Sequence, residues 1–111
     1  MDSPVITNCT HHPVTVAETT YFPSGIIVKV KFAWEEIAPN TYGWDIKNTS
    51  IENLPPESER GSFFIVSFMT AMVIRVLHPA RNDFISPDTS PQHVVKSPSG
   101  QIVGSKRFVI W

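Results

Sequence analysis

Four side chains stand where chemistry could be done: Ser67, Arg81, Asp83 and His12. Ser67 ends an apolar run at 63–66 and precedes a helix-forming stretch at 68–77. A serine at a strand-to-helix junction can cap the first-turn amides with its hydroxyl. The same free amides, with the helix dipole behind them, can instead hold a phosphate-like anion. No glycine-rich loop precedes Ser67, so a Walker-type phosphate site is not expected. Arg81 and Asp83 follow the helix. There Arg81 can bond the last helical carbonyls or pair with Asp83 to hold the exit loop, or it can offer its planar fork to a ligand phosphate or carboxylate. His12 can tie the first turn to a neighbouring loop or line a pocket. Asp88 and Thr89, in Ser-Pro-Asp-Thr, are expected to make a turn bond.

Two other chemistries find little support in the spacing. His11, His12, His78, His93 and Cys9 include no Cys-x-x-Cys or His-x-x-x-His, and adjacent histidines on a strand point to opposite faces, so no metal is expected. A Ser-His-Asp hydrolase would need a nucleophile elbow, and the Ile-Val-Ser-Phe-Met around Ser67 lacks its flanking glycines.

The element that must position these groups is the stretch 61–79. Its run at 63–66 suits a buried strand, and 68–77 suits a helix of about three turns, stopped by Pro79. Only Thr70, Arg75 and His78 mark a polar sector on that helix. It is therefore expected to be buried, with Met72→Asp or Val76→Asp unfolding the domain. Strands are expected at 4–7 and 13–17, on either side of a turn, and at 25–32, where Val28, Val30 and Phe32 alternate with Lys29 and Lys31. A further strand covers 42–47, a stiff loop 53–59, an irregular loop 80–92, a hairpin 93–103 and a last strand 105–111. The expected fold class is α+β: a mainly antiparallel, curled or barrel-like sheet of about seven short strands packed around one buried helix, in a single domain covering 1–111.

Hydrophobic residues make up 41% of the chain and charged ones 17%, a composition that can build a core. A net charge of −1 argues against a dedicated nucleic-acid or membrane-surface binder. The lone Cys9 allows no internal disulfide, no leader pattern opens the chain, and its longest apolar region is interrupted by Arg75. A soluble protein of the cytoplasm is expected.

The chain also resembles a family of small phage and prophage proteins that open on Asn-Leu-Thr-Pro-His. The matching pieces are Asn8, Thr10 and His12, Pro23-Ser24-Gly25, Leu54-Pro55, Ile65-Val66-Ser67, Arg81-Asn82-Asp83 with Pro87, and Gly100-Gln101-Ile102-Val103-Gly104. They keep the family's order along nearly the whole chain. Cys9 and His11 depart from its Leu and Pro. The resemblance implies a phage context, with the host cytoplasm as its place of work, and no established activity.

The expected function is sequestration, without catalysis or cofactor, of a small anionic nucleotide-derived molecule such as a cyclic nucleotide or an ADP-ribose-like immune signal. Ser67, Arg81, Asp83 and His12 are its expected contacts. The alternative is a protein-interaction or structural module, or a homo-oligomer, joined through aromatic strands; Tyr42 and Trp44 share one strand face.

Overall fold

The computed structural model describes residues 5–57 and 61–111. Helix α1 spans Phe68–Leu77, with Ser67 as its N-cap and His78 as its C-cap, as the residue pattern predicts. The Ser67 hydroxyl accepts from the Thr70 amide at 3.3 Å and donates to Thr70 Oγ1 at 2.8 Å, while the His78 amide closes the last turn on Ile74 O at 2.7 Å. The rest of the regular structure is β: β1 (Ile6–Asn8), β2 (Val14–Val16), β3 (Thr19–Tyr21), β4 (Lys29–Lys31), β5 (Trp34–Ala38), β6 (Thr41–Trp44), β7 (Ser50–Glu52), β8 (Phe63–Ile65), β9 (Phe84–Pro87), β10 (Val94–Lys96), β11 (Ile102–Ser105) and β12 (Phe108–Ile110).

Among the described residues these twelve short strands form four separate small sheets, in the orders β1-β8-β9-β12, β10-β11-β2-β3, β4-β7 and β5-β6. This corrects the expected architecture. The fold is mostly β, and none of its sheets closes or curls into a barrel around the helix. In the central sheet, β1, β8 and β9 run parallel and β12 is antiparallel to β9. Helix α1 is the crossover between β8 and β9, the connection that parallel neighbours require. Strands β3, β5, β7 and β9 were not expected, and β9 lies within the stretch read as an irregular loop. Its Phe84, Ile85 and Ser86 are all buried, and a strand covered on both faces has no alternation to betray it.

The helix is also less buried than its composition suggests. Thr70, Ala71, Val73 and Ile74 face inward, whereas Phe68, Met69, Met72 and Val76 are 52%, 61%, 46% and 52% exposed. One core gathers Val66, Ala71, Ile74 and Phe84 with Cys9 and Val28; a second joins Val14 and Val16 to Ile65 and Ile85 across the two larger sheets. Of the predicted connections, the loop at 53–59 is seen as far as Glu57; Ser58 and Glu59, like Pro4 of the first strand, lie outside the described residues.

The inward helix face predicts where charge is tolerated. Ile74→Asp should abolish cooperative unfolding, because an unpaired buried charge costs several kcal/mol. Met72→Asp, on the exposed face, should keep a cooperative melt. Circular dichroism melts of the two variants distinguish the faces.

Candidate functional site

The first turn is built on Asn8, which is only 1% exposed. Its Nδ2 donates to His12 O at 3.0 Å and to Tyr21 O at 2.8 Å, and its Oδ1 accepts from the Thr10 amide at 2.9 Å and the Thr10 hydroxyl at 2.7 Å. The Asn8 carbonyl accepts from the Ser24 amide and hydroxyl at 3.0 and 2.8 Å. The Asn-x-Thr-x-His and Pro-Ser-Gly motifs thus interlock, and Cys9 is tied to the segment entering β4 by Val28 N–H donating to Cys9 O at 3.0 Å. His12 is exposed, with Nδ1 at 3.1 Å from Pro13 O. The Cys9 thiol is buried, and its pKa is raised by that burial, so it is a packing group and not a ready nucleophile.

This turn, β4 and the N-terminal end of α1 enclose a cleft of about 480 Å³. His11, His12, Thr10, Lys29, Ser67 and Thr89 supply its polar lining, and Phe32, Phe68 and Met69 its apolar rim. Of the four expected contacts, the fold brings Ser67 and His12 together here. Lys29, read from the sequence as a solvated strand position, is the cation of the lining; alternation along β4 could show only that it points away from Val28 and Val30.

Arg81 and Asp83 lie beyond the other end of the helix. Arg81 Nε and Nη2 donate to Asp83 Oδ1 and Oδ2, both at 2.9 Å, in a bidentate pair. Its Nη1 donates to Pro55 O at 3.0 Å, and the guanidinium lies 4.8 Å from the centre of the Phe84 ring. Asp83 is buried, and its carbonyl accepts from the Phe64 amide at 2.8 Å. This is a structural clamp joining the helix exit, the Leu-Pro loop and β8.

A second charged cluster surrounds Asp88, which is buried although it was expected to make only a turn bond. That bond is present, from the Ser90 amide to Oδ1 at 2.9 Å, and Arg107 Nε donates to Oδ2 at 2.7 Å. Hydrogen bonds from the Ser90 amide and hydroxyl, and from Arg107, hold the Asp88 carboxyl well below the usual carboxylate range. His93 Nδ1 lies 3.0 Å from Ser90 Oγ and 3.4 Å from Asp88 Oδ2. Acid and hydroxyl therefore crowd one ring nitrogen, whereas a proton relay needs them on opposite nitrogens. The cluster braces the 88–93 turn against the 105–107 segment, whose buried Ser105 hydroxyl donates to Asp88 O at 2.6 Å.

Next to the cleft, and sharing Phe32, Phe68 and Met69 with it, runs a groove of about 430 Å³ with an entirely apolar lining. Trp34 and Trp44 of the β5–β6 hairpin form one wall, and Met72 and Val76 of α1 the other. Phe32 stacks on Trp34 at 5.6 Å, and Trp44 Nε1 donates to the buried Thr49 hydroxyl at 2.7 Å, so the hairpin base is anchored. Among the described residues no cluster of three or more metal-ligating side chains occurs, and no helix is long and apolar enough to cross a membrane. No family model, curated protein or solved structure matches the chain, so its function is argued from its own side chains.

Two predictions follow the charged clusters. Arg81→Ala should lower stability by about 1–3 kcal/mol, because it removes the bidentate partner of a buried carboxylate, and Arg81→Lys should restore little of that loss in denaturant titrations. Asp88 is lowered from its ordinary 3.8, so the fold favours the ionised carboxylate. Its contribution is in place above about pH 4 and is lost as pH falls further. Asp88→Asn should therefore flatten the decline in melting temperature between about pH 5 and pH 2.

Proposed function

We propose that the protein captures a small anionic, nucleotide-derived molecule, of the cyclic nucleotide or ADP-ribose-like kind, in the cleft between its first turn and the N-terminal end of α1. The observation that carries the reading is the convergence of Ser67, His12 and Lys29 on one cleft of about 480 Å³. That volume is within the roughly 300–1,000 Å³ range of small-molecule sites. The positive end of the helix dipole and the Lys29 ammonium favour a phosphate, while Phe32 and Phe68 offer ring faces to a base. The work is binding without conversion: the Ser67 hydroxyl is spent on Thr70, and His12 Nδ1 lies against Pro13 O. In a phage setting such capture would blunt a host immune signal by stoichiometry.

The second reading, a protein-interaction module, is favoured by the apolar groove beside the cleft. A panel of cyclic dinucleotides and ADP-ribose derivatives separates the two. Capture predicts a raised melting temperature, a Kd of about 1 μM or below, and ligand recovered intact on heating. Lys29→Gln, at an exposed position opposite Glu52, should weaken binding several-fold while leaving the free protein's melt nearly unchanged. Ligand returned chemically altered would make the protein an enzyme. A panel without effect, together with a tight host-protein complex in pull-down, would establish the interaction module instead.

A further inference from the structure

The β5–β6 hairpin is an arm that pairs only with itself. A lone two-stranded ribbon is marginally stable at best in water, and it needs a third surface. Every residue of β5 is exposed. Trp34 pairs with Trp44 on one face, beside the hydrogen-bonded Tyr42 and Glu36, while Ile37 reaches across the other face over Gly43, beside Glu35, so each side offers an exposed apolar group. Its own helix covers one side only in part, leaving Trp34 60% and Ile37 65% exposed. With this arm the chain has a radius of gyration of 15.8 Å, against about 13 Å for a compact domain of its length.

We propose that the groove and arm form the interface between two copies of this chain, the arm of each lying over helix α1 of the other. One molecule carries both halves of the contact, a projecting ribbon and an unfilled apolar groove, which is what a two-fold exchange requires. At about 200 Å² for a large apolar side chain, the exposed fractions of Trp34, Ile37, Phe68, Met69, Met72 and Val76 amount to about 700 Å². That approaches the ~800 Å² per partner of a stable interface. A net charge of −1 sets little repulsion between copies. The cleft and the groove share Phe32, Phe68 and Met69, so a partner arm seated in the groove also walls the open side of the cleft. This last point rests on the ligand reading above; the interface itself does not.

Sedimentation of the full chain tests the proposal. Wild type should run at twice the 12.4 kDa chain mass. Met72→Asp and Trp34→Glu should each weaken self-association by roughly thirtyfold, the size of a hot-spot loss, with unchanged far-ultraviolet dichroism. A wild-type monomer would overturn the proposal, as would a dimer indifferent to both variants. The ligand panel, run on wild type and on whichever variant stays folded, separates the two readings. A dimer that binds no panel member keeps the interface and removes the ligand reading, while a monomeric variant that binds as tightly as wild type refutes the shared wall.

Discussion

The side chain of Asn8 is the junction on which the fold depends. Asn8 ends β1 in the central sheet, its side-chain amide holds the β3 carbonyl of Tyr21, and its backbone carbonyl accepts from both donors of Ser24. One residue later, Cys9 donates to Ile65 O and accepts from Val28 N–H. The two larger sheets and the segment leading into β4 therefore meet within two residues. Sheets this small cannot be stable singly, and their union rests on buried polar bonds as much as on the two apolar clusters. An amide suits the position because it needs both donors and acceptors. A carboxylate would face the carbonyls of His12 and Tyr21 with nothing to donate.

The same economy explains the divided character of α1. Its inner residues fill the first core, and Trp111 steadies its start: the indole donates to the buried Ser86 hydroxyl at 2.8 Å and meets Phe68 edge-on at 4.9 Å. Its outer residues are equally apolar yet face an open groove. An apolar surface of that kind on a small domain marks a place of contact. Cleft and groove are consequently neighbours on one helix, with Phe68 and Met69 belonging to both.

Much of this was legible in the residues. The helix bounds, its serine cap and the hairpin of β10 and β11 follow from local signals that carry their own geometry. Gly25 and Gly100 do adopt φ values of 96° and 86° in the two Pro-Ser-Gly turns. Other elements were hidden for physical reasons. The β2–β3 hairpin turns through Ala17 and Glu18 at φ 50° and 69°, a conformation that normally announces itself with Asn or Gly. Strand β9 lacks alternation because both its faces are covered. Apolar composition around a helix could not distinguish a core from a surface awaiting a partner. For the cleft, the strand-to-helix junction brought Ser67 into view and the first turn His12, but only three-dimensional placement separates them from Arg81 and Asp83 and adds Lys29.

The parallel pairing of the central sheet also orders events as the chain is made. Strand β1 finds its sheet neighbour at Phe63–Ile65, and β12 finds its own at β9. The Asn8 turn can close on Thr10, Tyr21 and Ser24 early, yet β1 must wait for more than half the polypeptide to emerge before its sheet partner β8 exists. Closing such distant pairs is slow, because the entropy of the intervening loop is lost before the contact forms. Until then the unpaired edges of β1 and β8 are exposed together with the aromatic arm. The vulnerable stage of this protein is thus the interval of its synthesis, when a chaperone or a sister chain is the nearest apolar surface.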